Sequence, residues 1–89
     1  MSLFKLGSIV ATPGALQFCE KHNINPLLLL SRHIAGDFGD LSADDVAANV
    51  HAIQHDLRVF SSYKVANGKV WIITEADRSS TCILLPDEY

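Results

Sequence analysis

The hydrophobic period of this chain changes once, after Arg58, and that change decides most of what the chain can fold into. Before it, apolar residues recur at helical spacing. After it, residues 59–66 and 69–75 form two runs rich in β-branched and aromatic side chains, separated by Asn67-Gly68. A type I′ turn needs positive φ at two successive residues, and Asn-Gly accepts that readily, so the segment is predicted to be a two-residue hairpin. That turn pairs Ala66 with Lys69, Val65 with Val70, Lys64 with Trp71 and Tyr63 with Ile72. Alternation then gives one face to Val59, Ser61, Tyr63, Val65, Val70, Ile72 and Thr74. The other face takes Phe60, Ser62, Lys64, Trp71, Ile73 and Glu75. The first is the more uniformly apolar near the turn and is assigned to the helices. The second keeps Phe60, Trp71 and Ile73 among charged neighbours, the pattern of an interface, with Lys64 placed over Trp71 as a cation–π contact. The competing arrangement covers this face with the N-terminal strand or the first helix.

Upstream, residues 6–11 read as a short strand. Thr12-Pro13 and Asn25-Pro26 are two helix starts, each with a capping side chain before a proline that lacks only an N–H the helix would leave orphaned. The first helix carries Ala15, Leu16 and Cys19 and ends near Lys21-His22, with Asn23 beyond it as the left-handed residue. The second carries Leu27, Leu30 and Ile34 on one stripe, widened by Leu28 and Leu29, and is expected to be mostly buried. Gly36-Asp37-Phe38-Gly39-Asp40 breaks the pattern as a loop. Ser42 opens a third helix with Asp44 and Asp45 in its first turn. Its core stripe is expected at Val46, Val50, Ile53 and Leu57, with His51 and His55 opposite. Residues 77–80 form a second turn and residues 81–85 a last strand, ended by Pro86.

A chain of 89 residues is one domain, 1–89. The expected fold class is α+β: three N-terminal helices packed on a three- to four-stranded antiparallel sheet, in the order β-α-α-α-β-β-β. Hydrophobic residues make up 48% and charged residues 19%, which excludes a disordered chain. The net charge of −3 disfavours binding to phosphate backbones or anionic lipid. The length excludes a Rossmann dehydrogenase, a kinase or a methyltransferase. The two cysteines, Cys19 and Cys82, form no C-x-x-C motif, and residues 1–5 show no apolar leader. The expected setting is therefore cytoplasmic, with reduced thiols and no membrane segment.

Candidate chemistry is sparse. His51 and His55 have the i, i+4 spacing of a metal pair, but Ala52 stands where a metalloprotease would carry its Glu, and the pair falls on the outer face. Asp37, Asp40, Asp44 and Asp45 lack the spacing of a calcium loop. His33 with Asp37 resembles a carboxylate-oriented general base, set against a plain helix-end role for the histidine. Arg78 can take an anion or pair with a carboxylate, Glu75 or Asp77, at the same turn. No phosphate-binding glycine loop and no nucleophile elbow occurs. The two helices meeting at residues 23–25 suggest a helix-turn-helix, yet the second is a run of leucines where a recognition helix needs polar and basic groups.

Four stretches carry a resemblance that spans nearly the whole chain: Leu6-Gly7-Ser8-Ile9-Val10-Ala11-Thr12-Pro13-Gly14-Ala15-Leu16, Arg32-His33-Ile34-Ala35-Gly36-Asp37-Phe38-Gly39-Asp40-Leu41, Trp71-Ile72-Ile73-Thr74-Glu75-Ala76-Asp77-Arg78-Ser79 and Leu84-Leu85-Pro86. They resemble a family of small bacterial proteins labelled plasmid-related protein or type I restriction endonuclease subunit M. Phe38 stands where that pattern has Trp. The resemblance implies a bacterial mobile-element context rather than a reaction. The sequence has neither the [ND]-P-P-[YF] motif nor the cofactor loop of a methyltransferase.

The function expected from these observations is that of a small non-enzymatic accessory or interaction protein. It would meet a protein partner, or a second copy of itself as a homodimer, through Phe60, Lys64, Trp71 and Ile73, with no cofactor and no metal. Two other classes stay open. One is a small-ligand binder or minimal enzyme around His33, Asp37 and Arg78. The other is a nucleic-acid-binding module, which the charge disfavours.

Overall fold

The computed structural model describes residues 2–89; Met1, part of the segment read above for a leader, lies outside the described residues. The chain runs β1 (Ser8–Ala11), α1 (Pro13–Lys21), α2 (Pro26–Ile34), α3 (Ala43–His55), β2 (Val59–Val65), β3 (Gly68–Thr74), β4 (Ser80–Leu84) and a 3₁₀ turn, Pro86–Glu88. The accessible surface is 5295 Å², against roughly 5,100 Å² for a chain of this mass. The exposures discussed below therefore belong to a chain folded as closely as its size allows.

The local signals before each helix act as expected. Thr12 accepts from the N–H of Ala15, Asn25 from that of Leu27 and Ser42 from that of Asp45. Two helices end in the same paired motif. Asn23, at φ 54°, lets Ile24 N–H reach Cys19 O at 2.8 Å and Asn23 N–H reach Glu20 O at 3.2 Å. Gly36, at φ 91°, does the same for α2, with Asp37 N–H on Arg32 O at 2.9 Å and Gly36 N–H on His33 O at 3.3 Å.

The sheet order is β1-β4-β3-β2. The α+β class holds, but the expected antiparallel sheet is corrected to a mixed one: β1 lies parallel to β4, with Ser8 opposite Ser80 and Ala11 opposite Ile83. All three helices and a hairpin separate these two strands in sequence, which supplies the long connection that parallel pairing needs.

The hairpin register also differs from expectation. Val65 pairs with Gly68, Lys64 with Lys69 and Tyr63 with Val70, so the turn is Ala66-Asn67. Ala66 takes the positive φ, 52°, and Gly68 enters the strand. The cause is packing: a Cβ on Gly68 would sit 3.1 Å from the Phe18 ring, so the glycine makes room for α1 rather than for the turn. Moving the turn by one residue changes the partner of each residue by two, which preserves the faces. Val59, Ser61, Tyr63, Val70, Ile72 and Thr74 are all fully buried beneath the helices.

Two helices turn different faces to that sheet than their apolar spacing predicts. In α2 the buried line is Leu29, Leu30 and His33, while Leu27 and Leu28 are about two-thirds exposed, at 64% and 65%. In α3 the buried residues are Asn49 and Ala52, while Val46, Val50 and Leu57 remain substantially exposed. At about 100° per residue, the buried line of α3 lies roughly 100° round the helix from the Val46–Val50–Ile53 stripe. Asn49 explains the rotation. Its side chain donates to Phe60 O at 2.6 Å and accepts from Phe60 N–H at 3.0 Å, acting as a strand residue on the open edge of β2. Farther along, the same edge is covered by residues 38–40: Ser62 N–H reaches Phe38 O at 3.0 Å and Asp40 N–H reaches Ser62 O at 2.7 Å. Asn49→Ala would leave the N–H and the carbonyl of Phe60 without their partner where α3 meets the β2 edge. It is expected to cost about 2–3 kcal/mol, read as a lower urea midpoint at unchanged slope.

Candidate functional site

Two places hold the residues of interest: a polar core beneath the helices and an aromatic patch on the opposite side of the sheet. The polar core is built on His33. The α2 line puts its imidazole among the strands, fully buried, with Nδ1 2.5 Å from Ser61 Oγ and Nε2 2.9 Å from Thr74 Oγ1. Thr74 Oγ1 lies 2.7 Å from Thr81 Oγ1, which donates to Leu6 O at 2.7 Å. The directions follow in order. Thr81 has spent its proton on the carbonyl, so Thr74 donates to Thr81. Thr74 must then accept from Nε2–H, which leaves Nδ1 to accept from Ser61. The chain of hydroxyls fixes one neutral tautomer of His33 and leaves no place for a second ring proton. Burial also holds this histidine down to about 4 from its usual 6.5. Phe4 closes the site edge-on at 5.2 Å.

The side chains of His33, Asp37 and Arg78 share no hydrogen bond or ion pair with one another. Asp37 follows the helix end and turns away: its carboxylate pairs with Arg32 at 2.7 Å, and the guanidinium holds it below the usual carboxylate range. Its carbonyl accepts from Tyr63 OH at 2.7 Å. Burial pushes the phenol of Tyr63 up to about 12. Arg78 is committed to carbonyls. It donates to Leu57 O at 2.6 Å, Glu75 O at 3.0 Å and Ala52 O at 3.1 Å, tying the end of α3 to the β3–β4 turn. The expected Glu75–Arg78 side-chain pair is replaced by Glu75 with Arg58, at 3.0 Å. Phe4 meets both the imidazole and the Arg78 guanidinium, the latter 5.6 Å from its ring centre.

Three of the four expected interface residues meet in one cleft on the outer face of the sheet. Phe60 and Trp71 meet edge to face at 4.9 Å, and Tyr89 meets Trp71 at 5.9 Å. With Ile73 as a nearly buried floor and Arg58 at the rim, they line a shallow cleft of about 220 Å³. Phe60 and Trp71 are half-buried. The alternative cover, an N-terminal strand or first helix, is not there. β1 lies in the plane of the sheet, α1 and α2 pack on the other face, and the 3₁₀ turn and Tyr89 reach this side. Lys64 is the exception among the four. It stands opposite Lys69, Trp71 stands opposite Ser62, and the cation–π contacts among the described residues belong to Arg32 and Arg78 instead. The outer face thus carries basic residues at both ends of an aromatic centre: Arg58, paired with Glu75, at one, and Lys64 with Lys69, the latter 3.7 Å from the Asp40 carboxylate, at the other.

Sequence reading missed Tyr89, Asn49 and Phe4. Tyr89 belongs to a terminal tail with no period. Asn49 was hidden because a polar residue scores against a buried helix face.

His51 and His55 stack at 4.2 Å on the exposed side of α3, and no group of three or more His, Cys, Asp or Glu side chains suited to a metal occurs among the described residues. Both cysteines are free thiols, and among the described residues no helix is long and apolar enough to cross a membrane. No family model, curated protein or solved structure matches the chain.

Proposed function

We propose that this chain is a small non-enzymatic interaction protein that docks a protein partner on the outer face of its sheet. The accessory role in a bacterial mobile element suggested by the family resemblance is a compatible setting. The observation that carries the reading is the aromatic cluster of Phe60 and Trp71 over Ile73, on the sheet face opposite α1 and α2. Aromatic anchors in an apolar centre with a charged rim are the usual composition of a binding hot spot. The rim indicates the partner's chemistry. Of the cations that flank this cluster, Arg58 is paired with Glu75 at 3.0 Å and Lys69 with Asp40 at 3.7 Å, which leaves Lys64, so an apolar segment with one carboxylate set toward Lys64 fits it. The His33 network supports the same reading from the other side, because its polar atoms are all used within the fold.

Affinity capture tests this. Wild-type protein is expected to retain a protein partner that Trp71→Ala loses by about 2 kcal/mol or more, a drop of at least roughly thirtyfold in affinity. Circular dichroism of the variant should stay unchanged. Retention unaltered by both Trp71→Ala and Phe60→Ala would remove the proposal.

A further inference from the structure

The two edges of the sheet are treated differently. The β2 edge is closed by Asn49 and by residues 38–40, as described above. The β1 edge is bare. Ser8 N–H reaches Ser79 O at 3.0 Å and Thr12 N–H reaches Ile83 O at 3.0 Å, so the even-numbered N–H groups of this strand point toward β4. The peptide groups of Ile9 and Ala11 therefore point away from the sheet, and no backbone group among the described residues meets them. The strand has no charge, no proline and no bulge to discourage pairing. Its side chains are equally unguarded: Ile9 is 52% exposed on one face and Val10 is 50% exposed on the other.

We infer that the occupant of this edge is a second copy of the chain, with β1 pairing antiparallel to its counterpart about a two-fold axis at Val10. The edge complements itself. In that register Ile9 and Ala11 exchange both of their outward hydrogen bonds with Ala11 and Ile9 of the second copy, and the two Val10 side chains lie side by side. The length of the strand favours this register. Gly7 at φ 66° precedes it, and Pro13, which has no N–H, opens α1 just beyond Thr12. A shifted register would leave Ile9 or Ala11 unpaired on each copy. The two four-stranded sheets would then join into one. Val10 shares its face with Cys82, Ile73 and Trp71 in the observed registers, so both aromatic clusters would open to the same side. Five strand spacings would separate the two Trp71 positions, roughly 24 Å. This assembly stands apart from the docking reading, since it uses the edge and not the outer face.

Light scattering over a concentration series is the first test. Wild type should reach twice its 9.7 kDa mass, and Val10→Lys, which sets two ammonium groups together at the axis, should weaken the dimer by roughly tenfold or more. Ile9→Pro should do likewise by removing an outward donor while sparing the bonds to β4. A cross-link supplies the register. Two residues facing each other at a non-hydrogen-bonded position have Cα atoms about 4.5 Å apart, within disulfide reach. In a Cys82→Ser background, Val10→Cys should oxidise to a covalent dimer and Ile9→Cys should not. A wild-type monomer at every concentration, a dimer indifferent to Val10→Lys, or equal cross-linking at both positions would each overturn the assignment. Loss of partner capture in Trp71→Ala at unchanged mass would bear only on the docking surface.

Discussion

Replacing His33 with alanine is expected to remove about 3–5 kcal/mol of stability, enough to unfold much of a domain this small. The substitution empties a fully buried site, leaves the Ser61 hydroxyl without its His33 partner and takes one of two partners from Thr74, which keeps its bond to Thr81. The same residue gives the fold an acid limit. In the unfolded chain it titrates near 6.5, whereas burial holds it to about 4 in the folded one. Between those values the unfolded state binds more protons, so stability falls as pH drops. The contribution is complete above about pH 6.5. By pH 5 about 2 kcal/mol is lost, and near pH 4 about 3 kcal/mol. Urea midpoints at pH 7 and pH 5 measure this directly. His33→Gln, which fills the site but does not titrate, should lack that part of the decline. Equal pH dependence in the two proteins would show that His33 does not hold the acid limit.

Gly39→Ala should lose about 3 kcal/mol, from a position that looks like an ordinary loop. The backbone there has φ 77°, which disfavours any Cβ. The added carbon would also stand 2.2 Å from Ser62 O and 2.7 Å from the Tyr63 ring. Neither neighbour can yield: Ser62 O accepts from Asp40 N–H at 2.7 Å, and Tyr63 is fully buried. Residues 38–40 would have to lift from β2, reopening the edge that Asn49 guards only at Phe60. Beyond lower thermal stability, the variant should therefore associate through β2 on partial heating. A melting temperature within a few degrees of wild type would show that the loop absorbs the change without leaving the strand.

Local chemistry was legible in the sequence wherever a single residue type meets a backbone requirement. Thr12, Asn25 and Ser42 cap their helices, and Asn23 and Gly36 end two of them, because those roles depend on nearest neighbours. The two faces of the hairpin were legible for a similar reason: alternation survives a shift of the turn. The direction of β1 was not, since nothing in residues 6–11 encodes whether β4 runs with it or against it. The helix faces were misread because periodicity ranks side chains by apolarity. It gave α3 the Val46–Val50–Ile53 stripe, when the sheet edge required the hydrogen-bonding Asn49. His33 was read as a partner of Asp37 or as a plain helix-end residue, and its two ring partners, Ser61 and Thr74, were not foreseen. Asp37 is near in sequence, while Ser61 and Thr74 come from strands 28 and 41 residues away. The patch of Phe60, Trp71 and Ile73 was legible because it needs only alternation, and Tyr89 joined it through tertiary packing alone.

The most direct test of the central claim is amide and indole chemical-shift mapping on labelled protein titrated with the partner it captures. The docking surface predicts shifts concentrated at Phe60, Trp71, Ile73 and Tyr89, including the indole N–H of the one tryptophan. Residues around His33 and Arg78 should stay still. Shifts centred on His33 and Arg78, or along Val46 and Val50 of α3, with the Trp71 indole unmoved, would contradict it.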